Sequence, residues 1–144
     1  MLTQLAIGSL LTLATIVVAA ASWWALERVL DRLHNWAIRP PHGPKLRVVV
    51  SLALVWTLGM MTIAVWLWAI SLHFLEIFVT FEASVYFSLV AFTTLGFGDI
   101  LLPQEWRLLG GLAAANGLLM FGLLTAILVE TLRNMRQRQQ GWFS

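Results

Sequence analysis

The chain has 144 residues, of which 60% are hydrophobic and only 11% charged, with eight tryptophans and a formal net charge of +2. A soluble domain carries about a quarter charged residues, so this composition excludes an ordinary water-soluble globule. Zero cysteines exclude a disulfide framework and a thiolate metal site.

Residues 1–26 hold no charge at all. The run exceeds the roughly 20 apolar residues that cross about 30 Å of hydrocarbon at 1.5 Å per residue, which predicts a first span over residues 3–25. Ala19-Ala20-Ala21-Ser22 resembles a secretory cleavage site. However, no positive residue precedes the run, and it is longer than the 7–15 residues of a signal core. A retained helix is expected.

The linker that follows carries Arg28, Arg32, Arg39, Lys45 and Arg47 against Glu27 and Asp31. Within it Trp23, Leu26, Leu30, Leu33 and Trp36 recur at three- and four-residue spacing. That pattern predicts an amphipathic helix, either continuing the first span or lying along the membrane interface. Arg39 before Pro40-Pro41 is a sensible stop, because a residue preceding proline disfavours the α region.

A second span is expected over residues 47–74, where His73 is the only titratable interruption after Arg47. His73 stands three residues before Glu76, close enough in a helix for the two to pair. The next apolar segment, "FEASVYFSLVAF" at residues 81–92, is too short to cross. Thr80 is a suitable N-cap, and Glu82 suits the positive end of the helix dipole. Twelve residues reach about 18 Å, half-way through a bilayer. The helix then gives way to "TTLGFGD", residues 93–99. A half-helix followed by glycine-interrupted backbone is a re-entrant loop, tolerated at membrane depth only when buried in protein or lining a water-filled path.

Gly96 and Gly98 alternate with Leu95 and Phe97, so every second residue can adopt positive φ without a Cβ penalty. Alternating handedness turns successive carbonyls to one side. Thr94, Leu95, Gly96 and Phe97 can then offer a ladder of oxygens with the Thr94 hydroxyl at its base, the side chains of Leu95 and Phe97 packing behind. A third span follows at residues 107–131, then a short basic tail, residues 133–144, with Arg133, Arg136 and Arg138. Eight of the nine basic residues thus lie on one side of the membrane, which the positive-inside rule makes cytoplasmic. The N-terminus and the loop holding Glu76, Glu82, Asp99 and Glu105 are then outside.

TTLGFGD resembles the selectivity filter of potassium channels, T-x-G-Y/F-G, with a second threonine before it and an aspartate after. The likeness extends to the order of span, short helix, filter and span, over residues 47–131; residues 1–46 lie outside it. The resemblance implies an all-α membrane protein with three transmembrane helices, a re-entrant pore helix at 81–92 and a homotetrameric pore. It implies K+ held at Thr94, Leu95, Gly96 and Phe97 within a filter of Thr93 to Gly98. Asp99 would form a ring of carboxylates at the outer mouth.

Two departures from the family pattern matter. Phe97 lacks the hydroxyl that many members bond behind the filter, a contact worth about 0.5–1.5 kcal/mol per subunit. Val90 stands where some members place a carboxylate, so inactivation relying on that carboxylate is not expected.

Asn116 in the last span is expected either to join helices or to face a water-filled cavity. Gly117 and Gly122 could permit a bend at a gate, while Gly110 and Gly111 suit close helix packing. Most tryptophans, Trp66 and Trp68 included, suit headgroup-level anchors. No span carries arginine at every third position, so voltage sensing has no support. The tail has no room for a ligand-binding domain, and no nucleophile–base set or phosphate loop argues for an enzyme. The expected protein is a passive K+ channel subunit of the plasma membrane, without cofactor or nucleic-acid partner, surrounded by lipid. A weakly selective cation channel and a non-conducting membrane scaffold are the alternatives.

Overall fold

The structure, a computed structural model, describes residues 1–38 and 42–140. The expected helix stop at Arg39-Pro40-Pro41 lies outside the described residues, as do residues 141–144 with Trp142. The chain folds as four α-helices: α1 (Leu2–Ile38), α2 (His42–Phe74), α3 (Phe81–Phe92) and α4 (Arg107–Gln140), the last led in by a 3₁₀ turn at Gln104–Trp106. No strand occurs among the described residues. Leu2–Val29, Arg47–Phe74 and Gln104–Asn134 are each long and apolar enough to cross a membrane, with mean hydropathy 2.1, 2.3 and 2.1.

The helices overrun the spans expected from charge. α1 continues without a break through the basic linker, so the amphipathic stretch extends the first helix. α2 begins at His42, ahead of the expected residue 47, and carries Pro44 in its first turn. Proline is tolerated there because its missing N–H would have had no intrahelical partner. α4 stays helical through Gln140, so the basic tail expected from residue 133 continues the same helix over its described residues.

α3 lies between α2 and α4, and α1 packs along both of those long helices. Trp68 and Leu72 of α2, Phe92 of α3, and Leu109, Ala113 and Met120 of α4 form one core, which Ala19 of α1 joins. Trp68 is therefore a core residue with no accessible surface and not a headgroup anchor. The buried stripe of α1 is Thr15, Ala19, Ser22 and Leu26, of which the first three are small and let a neighbouring helix approach closely. Because residues 1–26 hold no charge, no charged face marks that stripe over most of its length.

α2 ends in a Schellman turn. Ile77 N–H donates to the Leu72 carbonyl at 3.2 Å, and Glu76 N–H to the His73 carbonyl at 2.9 Å. Glu76 occupies the left-handed position, φ 54°, that glycine usually fills. The expected pairing of Glu76 with His73 is not made. The His73 ring instead meets Phe81 edge-on, with centroids 5.4 Å apart.

Candidate functional site

The site is assembled from the C-terminal end of α3 outward. Thr80 adopts extended backbone and accepts a hydrogen bond from Ala83 N–H at 3.2 Å, which fixes where α3 begins. Ser84, Ser88 and Phe92 form its buried face. At the other end Thr93 stays helical, φ −80° and ψ −2°, and its hydroxyl donates back to the Leu89 carbonyl at 2.8 Å. Thr93 thus belongs to the helix, with its hydroxyl already spent on it.

Thr94 starts the irregular backbone. Leu95 N–H donates to the Val90 carbonyl at 3.1 Å and Thr94 N–H to the Ala91 carbonyl at 3.0 Å, a second Schellman turn. Thr94 sits at its left-handed position with φ 58°. For a β-branched residue this is a true outlier, of the kind that persists where surrounding structure imposes it. Gly96 follows with φ 58° and Gly98 with φ 77°, while Leu95 and Phe97 keep ordinary handedness. The glycine positions were legible in the sequence; the threonine position was not, because its φ is set by the helix cap.

Three left-handed residues at strict two-residue intervals form the backbone pattern that can turn successive carbonyls to a common side. Among the described residues, no hydrogen bond reaches the carbonyls of Thr94, Leu95, Gly96 or Phe97. Space is open where a Cβ would stand on Gly96 or Gly98. The side chains of Leu95 and Phe97 are 60% and 66% exposed. The expected packing behind the filter is therefore not made within one chain. Behind the loop lies an open cleft of about 270 Å³, lined by Val90, Ala91 and Phe87 of α3 and by Gly110 and Ala114 of α4. Val90 makes that cleft apolar, and no carboxyl group backs the filter from its position.

Asp99 closes the loop. Its Oδ2 accepts a hydrogen bond from the Tyr86 hydroxyl at 2.6 Å, and its Oδ1 accepts one from Ile100 N–H at 3.0 Å. The Tyr86 hydroxyl first, and backbone N–H donation second, hold the Asp99 carboxyl below the ordinary carboxylate range. Asp99 is exposed yet oriented, tied across thirteen residues to the middle of α3. Sequence reasoning missed Tyr86. The available signal was that it is the chain's only tyrosine and stands on the short helix before the loop.

The residues expected at a cavity or gate sit elsewhere. Asn116 is 1% exposed, and its amide nitrogen donates to the Thr15 hydroxyl of α1 at 2.8 Å. It therefore joins helices and does not line a cavity. Gly117 seats α3: a Cβ there would lie 2.6 Å from Phe92 Cα and 2.8 Å from its carbonyl carbon. Its lack of a side chain is needed for that close approach, which assigns it a packing role and not a hinge. Gly122 has open space around it. Gly110 packs against Leu102 and Phe87, whereas a Cβ added at Gly111 would meet nothing within 4 Å.

A family profile described as "Ion channel" matches residues 48–134, which covers most of α2, all of α3, the TTLGFGD loop and most of α4. Neither the curated proteins nor the solved structures yield a match to this chain.

Proposed function

The chain belongs to the ion channel family, and we propose that it is one subunit of a homotetrameric, potassium-selective channel of the plasma membrane. The observation that carries this reading is the alternation at Thr94, Gly96 and Gly98, with the intervening carbonyls left without partners. Strained backbone with unpaired oxygens is costly unless something repays it. A cation that sheds its water against those oxygens does so.

K+ binds in turn at the levels of Thr94, Leu95, Gly96 and Phe97, and repulsion between ions at adjacent levels speeds their exit. The C-terminal end of α3 directs roughly half a negative charge toward the filter base. Outside, Asp99 and the neighbouring acids Glu76, Glu82 and Glu105, opposed only by Arg107, raise the local cation concentration.

Assembly follows from the same loop. One chain supplies one filter strand, and Leu95 and Phe97 find no cover within it. Neighbouring subunits around the pore supply that cover. The N-terminus lies outside and the basic ends of α1, α2 and α4 lie in the cytoplasm, in keeping with the distribution of arginines.

Reconstitution into liposomes tests the reading. Potassium should leave loaded vesicles far faster than sodium, barium should stop it, and chemical cross-linking in mild detergent should plateau at four chains. Equal potassium and sodium rates would leave a weakly selective cation channel in its place. A plateau at two chains would overturn the homotetramer.

A further inference from the structure

α1 lies outside the matched region, which begins at residue 48, yet it is bonded to the helix that seats the filter. Three contacts join it to the 3₁₀ turn Gln104–Trp106 and the outer half of α4 that follows it. The Gln4 side-chain amide donates to the Glu105 carbonyl. Gly8 lies against Leu109 and Leu112, where an added Cβ would stand 3.3 Å from Leu109 Cδ1 and 3.2 Å from Leu112 Cβ. Asn116 Nδ2 donates to Thr15 Oγ1 at 2.8 Å.

Gln4 with Glu105, Gly8 with Leu109, and Thr15 with Asn116 are each 101 positions apart in sequence. Two helices that hold one offset over eleven residues run parallel and in register for about 16 Å. The Thr15 hydroxyl also donates to the Thr12 carbonyl at 2.8 Å, so the Asn116 bond is anchored in the backbone of α1. The next residue, Gly117, is the one pressed against Phe92 at the base of the filter.

Below this level the bonding of α1 changes. Its next polar tie, Trp56 Nε1 to Ser22 Oγ at 2.7 Å, goes to α2. α4 meanwhile exposes Leu118, Leu119, Phe121 and Leu123, and Gly122 has nothing within 4 Å of a would-be Cβ. Met120 and Leu124 stay in the core that Ala19 of α1 joins, so among the described residues the hold of α1 on α4 beyond Asn116 is apolar contact alone, without the polar ties of the outer part.

We propose that α1 is a built-in splint of the pore. It keeps the 3₁₀ turn, the outer half of α4 to Asn116 and the filter seat beside it stationary, while gating movement of α4 is confined to the part beyond Gly117. Thr15 and Asn116 are its positioning residues, since they touch no permeating ion. The proposal rests on the channel reading above, and adds to it a fixed pivot and a task for the helix that the family profile does not cover.

The absence of cysteine makes the test clean. In the full-length protein, Gly8→Cys with Leu112→Cys should oxidise to a disulfide within one chain, and potassium flux should stay within about twofold of the reduced form. Loss of flux on oxidation, regained on reduction, would mean that α1 must leave α4 during gating and would overturn the proposal. A disulfide joining two chains would do the same. Thr15→Val should lower open probability about threefold, the factor for a buried polar tie of roughly 0.6 kcal/mol, with the reversal potential unchanged. Unaltered open probability would reduce the pair to passive packing and sink its assigned role. Should that variant fail to assemble, Thr15→Asn with Asn116→Thr restores the tie with its ends exchanged. Wild-type gating in that swap supports the splint, and a threefold defect refutes it. The disulfide forms whether or not the protein conducts, so a silent wild-type chain would count against the channel reading alone.

Discussion

α2 and α3 end in the same turn. Each closes with a Schellman pair of hydrogen bonds, and each puts a non-glycine residue in the left-handed position, Glu76 at φ 54° and Thr94 at φ 58°. After Glu76 the positive φ is not repeated before the next helix. After Thr94, Gly96 and Gly98 repeat the left-handed conformation at every second residue. One left-handed residue stops a helix; three in alternation make a row of oxygens. In the proposed filter the cap of α3 is the first step, and the strain at Thr94 then has a use that the same strain at Glu76 lacks.

Four predictions bear on that contrast. The largest effect belongs to Gly96→Ala. A left-handed alanine costs about 1–2 kcal/mol, repeated in every subunit, so potassium flux should fall by about a hundredfold or more while cross-linked assembly persists. Retained flux would break the link between alternation and conduction.

Gly117→Ala should come next. Its Cβ would meet the Phe92 backbone at 2.6 Å, and overpacking of this kind costs about 1–3 kcal/mol. Thermal dissociation of the assembled protein should show it, with Gly122→Ala as the near-silent control.

The two turns can then be compared directly. Glu76→Gly and Thr94→Gly relieve the same backbone strain, so each should stabilise the fold by about 0.5–1 kcal/mol. Glu76→Gly should leave discrimination between potassium and sodium unchanged, its lost charge lowering flux only modestly and only at low salt. Thr94→Gly should lower discrimination between potassium and sodium, because it removes the hydroxyl at the base of the ladder. Equal ion discrimination in both variants would mean that Thr94 is only a helix cap.

The smallest effect is a displaced pH dependence. Tyr86 lowers the Asp99 pKa, so the bond contributes when pH is above the ordinary carboxylate value, about 3.9. It is lost as pH falls through the lowered value. Tyr86→Phe should move the acid loss of outward-mouth function upward toward that ordinary value. A pH profile of the current, with the outer solution titrated, reads the shift.

Much of this was legible before any coordinates. The three long helices follow from charge-free runs, and α3 follows from Thr80, Glu82 and a segment too short to cross. Gly96 and Gly98 declared the alternating backbone because only glycine adopts it freely. Thr94 gave no such sign, since its handedness comes from the cap bonds of α3. Asn116 announced a polar contact at membrane depth but not its partner; Thr15 sits in the charge-free part of α1, residues 1–26, where no charged face points to it. The helix ends at His42 and Gln140 escaped because apolar patterning records where lipid begins, while a helix continues as long as its backbone bonds do.

The measurement that tests the central claim most directly is the reversal potential across a bilayer holding the purified protein, with KCl on one side and NaCl on the other. Selection by the carbonyls of Thr94 to Phe97 predicts a potential near the potassium limit, with current abolished by barium. A potential near zero at substantial current would contradict it.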